Sequence, residues 1–576
     1  MGSWLAHSAA VAGVLVLLPF GLGDFAAYEL ALYFLYAIAA LGVGLCWGSA
    51  GFLPLGQAMF VGIGGYLSGL ALIQFKGSAL LIVLLPLAAL LPGLLAFGLG
   101  LILFRGRRET GPYFALITLA LSLLAFQIAN GWNSVTGGFN GLKSIPGLPG
   151  LGDFSDAYWI SAAALAAVIA GTSWLLRAPL GVLWRAIAQN ERRAAFLGFD
   201  VTRAKAVVFG LSGVLGGLAG VLYAPQQNLV TPQLVGFTLS AELVIWAAVG
   251  GRGSLYGPIL GTVLIGVVTA ELRNRLPYWE VLLAVIFIVV VRWAPQGLVG
   301  LLQPIARRLR RPERGARLNA PPRQLAARTA AIAFQEVAAH AGPVQILDGL
   351  TLAAGTAGIT CMIGPNGAGK TSCFNLLTGE LPASHGSVRF DGQPITGFAP
   401  TAVTRLGIAR KFQIPNVFPD LTVAENLHLS LWGGRARPRD LLKLSLHRWT
   451  SPLLDELARR YPFLAEGASR AGDLGHGERQ ILELAMALAM EPRLLLLDEP
   501  CAGLSPEETR QVIDVIRWAK ARLDLAVIII EHDMSLVKEL ADHVLVLHQG
   551  RLLAAGSIAT VQADPAVRAV YAGGTK

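Results

Sequence analysis

Residues Gly364 to Thr371 have the types and spacing of a phosphate-binding loop. They read GPNGAGKT, which fits G-x-x-x-x-G-K-[ST] at every fixed position. Glycines leave room for successive backbone N–H groups to converge on phosphate oxygens. Lys370 is predicted to reach the β- and γ-phosphates, and the Thr371 hydroxyl is predicted to bind Mg²⁺. The candidate ATP-binding residues of this loop are Gly364, Asn366, Gly367, Ala368, Gly369, Lys370, Thr371 and Ser372.

Carboxylates and a histidine follow two other apolar runs. Residues 494–497 run directly into Asp498 and Glu499, and residues 527–530 run into His532 by way of Glu531. Asp498 is predicted to hold Mg²⁺ through water, and Glu499 to polarise the water that attacks the γ-phosphate. His532 is placed to contact the γ-phosphate and the Glu499 side chain. Each feature alone is ordinary, but their joint occurrence behind a phosphate loop favours ATP hydrolysis.

A glycine-containing turn, DLGHGERQ at 473–480, precedes a predicted helix over 481–490. The start of a helix attracts anions, so this turn is a second candidate anion site. The phosphate loop itself needs a strand before it and a helix after it. The apolar run 359–363 and residues 372–378 meet that need, which predicts an α/β domain over residues 331–576.

The first half of the chain has a different composition. Hydrophobic residues make up 54% of the whole chain and charged residues only 14%. Residues 1–330 hold 23 basic and 11 acidic residues, whereas residues 331–576 hold 23 basic and 25 acidic ones. A basic excess confined to the apolar half favours membrane loops on the cytoplasmic side over nucleic-acid binding. The four cysteines have no paired or metal-ligand spacing.

Apolar runs predict an all-α polytopic membrane domain over residues 1–302, with about ten spans. Many runs contain glycine or proline, which predicts that some helices are broken. The runs lie near 5–20, 26–47, 52–74, 79–104, 112–130, 158–176, 206–224, 237–249, 256–271 and 281–302. The distribution of arginine and lysine places both termini in the cytoplasm of a multi-pass inner (plasma) membrane protein. Residues 303–330 are basic and contain prolines, and they predict a linker.

Two features of the membrane half are functional candidates. The loop 185–205 is amphipathic and cytoplasmic, and its Glu191, Ala194, Ala195 and Gly198 resemble the coupling loop of binding-protein-dependent importer permeases. An ordinary basic juxtamembrane helix is the alternative. Glu242 is an ionisable residue within a span and therefore a candidate for the substrate path, although a position at the outer interface is equally consistent with the sequence.

The order of motifs in residues 331–576 resembles an ABC transporter nucleotide-binding domain. The resemblance implies that two such domains enclose two ATP molecules, each between one phosphate loop and the partner's signature, here Gly475, His476, Gly477 and Glu478. It implies that Gln413 senses Mg²⁺ and touches the permease, and that His340 lies near the adenine. Gly475 replaces the usual signature serine, and His340 is a poorer stacking surface than tyrosine.

The whole chain resembles the branched-chain amino acid and urea importer group, with a permease fused to its ATPase. The segments GPYFALITLALS, TGGFNGL, GGRGSLYGP, AGLSPEET and EHDM carry this resemblance. It implies ATP and Mg²⁺ as cofactors, a second permease and a second ATPase or a homodimer, and an extracytoplasmic solute-binding protein. Branched-chain amino acids and urea or short amides stay open as substrates. An exporter half-transporter and a membrane ATPase without transport are two further hypotheses.

Overall fold

The computed structural model describes residues 13–21, 23–106, 111–148, 154–294, 296–300, 317–323, 330–355, 358–523 and 525–572. These residues form two compact units. The first contains the described residues of 1–188 and 201–313, and the second contains those of 189–200 and 314–576. The chain therefore leaves the first unit at residue 189, contributes residues 189–200 to the second unit, and returns to the first unit at residue 201.

The first unit is helical. Six of its helices are long and apolar enough to cross a membrane: Phe25–Ser49, Gln57–Gln74, Leu81–Leu103, Gly111–Gly131, Asp156–Arg177 and Val201–Gln227. Shorter helices follow at Phe237–Gly250, Gly257–Arg275 and Trp279–Trp293, in the regions predicted for the last three spans. Half of the first predicted span, near 5–20, falls on residues outside the described ranges.

Irregular backbone separates or interrupts some of these helices. Helix Asp24–Gly44 continues as a π-helix over Leu45–Ser49, and the chain then runs without helix to Gly56. A short antiparallel pair joins Leu142–Lys143 to Leu229–Val230. Helix Pro179–Gln189 leads out of the first unit. The prolines Pro86 and Pro92, by contrast, lie inside the helix Leu81–Leu103.

Glycines let the helices of the first unit approach closely. A Cβ atom on Gly220 would collide with the Val61 carbonyl oxygen and would lie 2.6 Å from the Gly65 nitrogen. A Cβ on Gly213 would lie 2.7 Å from the Pro92 carbonyl oxygen. Small residues at helix contacts are typical of membrane proteins, where close packing replaces the hydrophobic effect. The other side of Leu81–Leu103 exposes Ile82, Val83, Leu94 and Ile102, as expected of a surface that meets lipid.

The second unit contains two main sheets. Six strands form a mostly parallel sheet in the order Arg551–Gly556, His543–His548, Ile359–Ile363, Ala526–Ile530, Leu494–Asp498 and Ile408–Lys411, with only the first pair antiparallel. Four strands form an antiparallel sheet in the order Val344–Ala354, Ile332–Ala341, His385–Phe390 and Gln393–Pro394. The core includes Phe334, Leu496, Ile528 and the helix residue Phe374. The helices are Lys370–Leu377, Pro400–Arg405, Val423–Trp432, Pro452–Arg460, Pro462–Glu466, His476–Ala489, Pro506–Arg522, Met534–Leu540, Ile558–Ala563 and Pro565–Ala572.

The parallel register explains why the predicted site residues meet. Ile359–Ile363, Leu494–Asp498 and Ala526–Ile530 are buried along their whole length, as apolar strands covered on both faces should be. Asp498 is paired with Ile530, and Ile530 with Met362, so the three strands end at nearly the same level. The residues that follow them therefore lie at one edge of the sheet.

Part of the predicted linker contacts the second unit. Leu318–Asn319 pairs in parallel with Trp449–Thr450. Arg323 donates from Nη1 to the Met490 carbonyl oxygen at 2.9 Å. Residues 317–323 are thus packed on the second unit, and the boundaries 1–302, 303–330 and 331–576 remain a prediction.

Candidate functional site: the nucleotide site and the segment that contacts it

The phosphate loop lies between strand Ile359–Ile363 and helix Lys370–Leu377. Gly367 and Gly369 have φ angles of 80° and 97°, a region that favours glycine. Lys370 Nζ donates to the carbonyl oxygens of Gly364 at 2.8 Å and Pro365 at 3.0 Å. Burial lowers the pKa of Lys370, while Glu499 and Asp498 act in the opposite direction. The ammonium therefore lies within the loop, where it can turn to a phosphate.

Glu499 contacts two other predicted site residues, Gln413 and His532. Its Oε2 accepts from Gln413 Nε2 at 2.7 Å, and its Oε1 lies 2.6 Å from His532 Nε2. Glu499 itself has a φ angle of 44°, unusual for a residue with a side chain. Gln413 and His532, from two other segments of the chain, thus contact opposite oxygens of the Glu499 carboxylate.

Asp498 is buried beside these residues and is bound by an arginine. Arg410 Nη2 donates to Asp498 Oδ2 at 3.0 Å. Burial raises the pKa of Asp498, although the Arg410 guanidinium lowers it. Hydroxyl, carboxylate and amide oxygens are ligands that suit Mg²⁺, so the oxygens of Thr371, Asp498 and Gln413 fit the predicted ion.

The glycine turn caps its own helix. Gly475 precedes helix His476–Ala489, and its N–H donates to Glu478 Oε2 at 3.0 Å. The Gly477 N–H donates to Glu508 Oε1 at 3.1 Å. Gly475 and His476 are exposed, so this turn can meet a partner molecule. His340 is also exposed, and its Nδ1 lies 3.0 Å from Ser384 Oγ.

The predicted coupling loop contributes a short helix, Glu191–Phe196, to the second unit. Asn190 caps it by accepting from the Arg193 N–H at 2.8 Å. Ala194 is fully buried, and Thr404 Oγ1 donates to the Phe196 carbonyl oxygen at 3.1 Å. Gly198 has a φ angle of 92°, and a Cβ atom there would lie 3.4 Å from the Gly434 nitrogen. Small residues thus allow the segment to lie against the ATPase-like fold, with Glu191 in the first turn and Ala195 half-buried.

Comparisons with known proteins cover both halves of the chain. Residues 25–291 match the family described as branched-chain amino acid transport system / permease component, and residues 347–502 match the ABC transporter family. The high-affinity branched-chain amino acid transport ATP-binding protein BraF of Pseudomonas aeruginosa is 34% identical over 40% of this chain and 93% of its own length.

The chain belongs to the ABC transporter family. The transport ATP-binding protein LivG of Escherichia coli K12 is 36% identical over 37% of this chain and 87% of its own length. A solved nucleotide-free ATP-binding cassette from an ABC transporter is 26% identical and covers 42% of this chain and 98% of its own, with a TM-score of 0.36. The two family matches and the ATP-binding relatives show a membrane transporter in which a permease is fused to an ATPase that couples ATP hydrolysis to transport.

The membrane unit of this transporter contains a cleft of about 470 Å³. Glu242, which is half-buried on helix Phe237–Gly250, is part of its lining. The rest of the lining is a mixture of leucines with aromatic and polar residues, among them Tyr36, Phe126, Tyr223, Gln233 and Phe237. The ionisable residue singled out from the sequence therefore lies at a cavity.

Several residues at the nucleotide site were not predicted. Arg410 and Lys411, at the end of strand Ile408–Lys411, are 3% and 0% exposed. Two adjacent basic residues in a short strand are a sequence signal, because lone charges are rarely buried without partners. Arg192 and Arg193 of the coupling segment were also missed, since the resemblance drew attention to its small residues.

Proposed function

We propose that this chain is the fused permease and ATPase subunit of an importer for branched-chain amino acids. The observation that carries the proposal is that one polypeptide places a coupling helix against the ATPase fold, in contact with the residues that surround the nucleotide site. The family match of the permease region and the names of the ATP-binding relatives support the substrate class. We place the permease at 1–302, the linker at 303–330 and the ATPase at 331–576.

The phosphate loop binds the triphosphate of ATP in this proposal. Backbone N–H groups from Gly364 to Ser372, including those of Asn366 and Ala368, surround the phosphates, and Lys370 leaves the loop carbonyls to bind the β- and γ-phosphates. His340 packs near the adenine. Thr371, Asp498 and Gln413 would hold Mg²⁺, which neutralises phosphate charge when bound.

Glu499 is the proposed catalytic base. Its carboxylate accepts hydrogen bonds from Gln413 and lies against His532, so its orientation is fixed before water arrives. Glu499 orients and polarises the attacking water, and His532 holds the Glu499 side chain and contacts the γ-phosphate. A fixed base costs no reorganisation during the reaction, which is the main source of its effect.

Hydrolysis requires a second ATPase domain. The exposed turn at Gly475, His476, Gly477 and Glu478 faces the ATP of that partner domain in our proposal. Because Gly475 lacks the usual serine hydroxyl, we favour a heteromer with two unequal ATP sites over a homodimer. A second permease and an extracytoplasmic solute-binding protein complete the assembly, in the inner membrane with the ATPase in the cytoplasm.

Alternating access is driven through residues 189–200. Ala194 and Gly198 let this segment lie close to the ATPase fold, so closure of the two ATPase domains moves the helices attached to it. The Glu242 cleft is the proposed substrate path. A carboxylate suits the ammonium group of an amino acid and the surrounding aromatic rings suit an apolar side chain, whereas urea is neutral and fits this lining less well.

Uptake by whole cells tests the proposal with every partner subunit present. Cells of the source organism that carry either the native chain or Lys370→Ala are given labelled leucine, isoleucine, valine or urea. We expect uptake of the three amino acids to require Lys370, with urea uptake unchanged. Lys370-dependent uptake of urea alone would favour the alternative substrate, and Lys370-dependent loss of label from preloaded cells would show export and overturn the proposal.

A further inference from the structure

A chain of charged contacts runs from the coupling segment to the proposed Mg²⁺ ligand. Arg192 forms an ion pair with Glu380. Glu380 Oε2 in turn accepts from Arg410 Nη1 at 3.1 Å, and Arg410 Nη2 donates to Asp498 Oδ2 at 3.0 Å. All of these residues belong to the second unit, so the contacts lie within one compact body.

Burial increases along this chain of contacts. The Arg192 side chain is 55% exposed and that of Glu380 is 11% exposed, whereas those of Arg410 and Asp498 are 1% and 4% exposed. An exposed ion pair contributes little, whereas loss of one partner from a buried pair leaves an uncompensated charge. The outer contact is therefore easily changed, while the inner contact holds Asp498 firmly.

Arg410 also ties Asp498 to the helix that follows the phosphate loop. Its Nη1 donates to Asn375 Oδ1 at 2.7 Å and to Thr378 Oγ1 at 3.3 Å. The guanidinium lies 4.8 Å from the centre of the Phe412 ring, and Arg192 lies 4.9 Å from the same ring. One side chain thus orients the carboxylate, the helix and the residue before Gln413.

The coupling segment binds the backbone of Arg410 as well. Arg193 Nη1 donates to the Arg410 carbonyl oxygen at 3.1 Å and lies 3.5 Å from Glu483 Oε1. Arg193 is 1% exposed, so this contact is fixed within the core. Two neighbouring arginines of the coupling segment therefore act on one residue, Arg192 on its side chain and Arg193 on its main chain.

We propose that Arg410 is a positioning residue that links the coupling helix to the Mg²⁺-binding carboxylate Asp498 through Glu380. Movement of the helix changes the Arg192–Glu380 pair, which changes how Arg410 orients Asp498. The transporter would then sense the position of its permease as a change in Mg²⁺ affinity. This inference rests on the proposed ATP site and coupling role, and it is separate from the contact between Gln413 and Glu499.

Nucleotide binding without turnover tests the link. The full-length transporter, purified in nanodiscs with its co-purifying subunits, is titrated with a non-hydrolysable ATP analogue at a series of Mg²⁺ concentrations. Arg192→Ala, Glu380→Gln and their double variant are compared with the native chain. The control is Arg551→Ala, which removes the exposed ion pair with Asp348.

We expect Arg192→Ala to raise the Mg²⁺ concentration at half-maximal binding about threefold, because it removes a surface pair. Glu380→Gln should raise it about tenfold, and the double variant should match Glu380→Gln because Arg192 acts through Glu380. Analogue affinity in EDTA should not change. An unchanged or lower Mg²⁺ midpoint in Arg192→Ala would overturn the proposal. So would a midpoint in the double variant that rises by the product of the two single-variant increases.

Arg410→Lys adds a variant that keeps the buried charge. Lysine cannot bind Glu380 and Asp498 together as the planar guanidinium does, so the Mg²⁺ midpoint should rise while the protein still folds. A native-like midpoint in this variant would also contradict the link. Failure of the proposed ATP site looks different, since the native chain would then show no Mg²⁺-dependent binding of the analogue at all.

Discussion

The two units of this transporter differ in how much charge they bury and in how their helices pack. Among the described residues, the second unit buries Arg193, Lys370, Arg410, Lys411, Glu483, Asp498 and Glu531, whereas Lys205 is the buried charged residue of the first unit. The first unit instead brings backbones together at Gly64, Gly213, Gly217 and Gly220. The chemistry of the second unit depends on paired charged residues. The packing of the helices in the first unit depends on glycines.

This difference explains why the two units respond to different substitutions. A buried charge acts through its partners, so its loss changes binding or rate and leaves a neighbour uncompensated. A glycine at a helix contact acts through the space it leaves, so any larger residue forces the helices apart. We therefore expect rate effects to dominate in the second unit and stability effects to dominate in the first.

The largest expected effect is that of Glu499→Gln. The amide cannot act as a base, although it retains the size of the side chain and one oxygen that can accept a hydrogen bond. We expect ATP hydrolysis to fall at least about 100-fold, with ATP binding retained. Steady-state hydrolysis and equilibrium nucleotide binding measure the two effects, and Glu466→Gln, at an exposed position, is the control. Substantial hydrolysis by Glu499→Gln would remove this residue from the catalytic role.

Gly220→Ala tests the packing of the first unit. The new methyl group would collide with the Val61 carbonyl oxygen, which is backbone and cannot turn away. We expect a loss of stability of about 1–3 kcal/mol, seen as a lower unfolding temperature of the purified transporter. Gly98→Ala is the matched control, since a Cβ atom there meets nothing within 4 Å. Equal unfolding temperatures for the two variants would show that the close contact at Gly220 does not stabilise the first unit.

Glu531→Gln tests the cost of a buried carboxylate in the second unit. Burial raises the pKa of Glu531 from 4.5 to about 7, and its Oε1 is buried without a hydrogen-bond partner. The folded state therefore holds a proton that the unfolded chain has lost, so stability falls as pH rises from 4.5 to about 7. We expect Glu531→Gln to be more stable than the native chain by about 1–2 kcal/mol at pH 8 and equal to it near pH 4.5. Unfolding curves of both proteins at the two pH values measure the difference in stability. The same difference at pH 4.5 and pH 8 would contradict the raised pKa of Glu531.

His340→Tyr should have the smallest effect. His340 is exposed near the proposed adenine position, and tyrosine offers a larger stacking surface. We expect ATP affinity to increase about two- to fivefold with little change in the maximal rate. Nucleotide titration measures the affinity, and unchanged affinity would place the adenine elsewhere.

The sequence predicted named residues of the nucleotide site in the second unit, and it predicted the first unit mainly as helices. The phosphate loop, Asp498, Glu499 and His532 each follow a buried strand, and fixed spacing within a motif determines their positions. The contacts of Arg410 with Glu380 and Asp498 could not be predicted, because they join distant segments. In the first unit, the length of an apolar run predicts a membrane span. The contact between Gly220 and Val61 could not be predicted, because it depends on which helices pack together.

Glycine and proline in the predicted spans also show what the sequence alone does not determine. They predicted broken helices, yet Pro86 and Pro92 lie inside a helix and Gly213 packs against the Pro92 carbonyl oxygen. A small residue that could end a helix can also permit a close contact between helices. Composition alone does not distinguish these two uses.

The most direct test of the account compares transport with ATP hydrolysis in Ala194→Leu. Ala194 is fully buried in the coupling segment, so leucine would disturb the packing of this helix within the second unit while leaving the phosphate loop, Asp498 and Glu499 unsubstituted. Ala194→Ser is the control for a small change at the same position. We predict that Ala194→Leu loses uptake of labelled leucine in cells, while the purified variant, assayed at saturating Mg²⁺, still hydrolyses ATP at near the native basal rate. Native uptake by Ala194→Leu would contradict the account, because transport would then not depend on this contact.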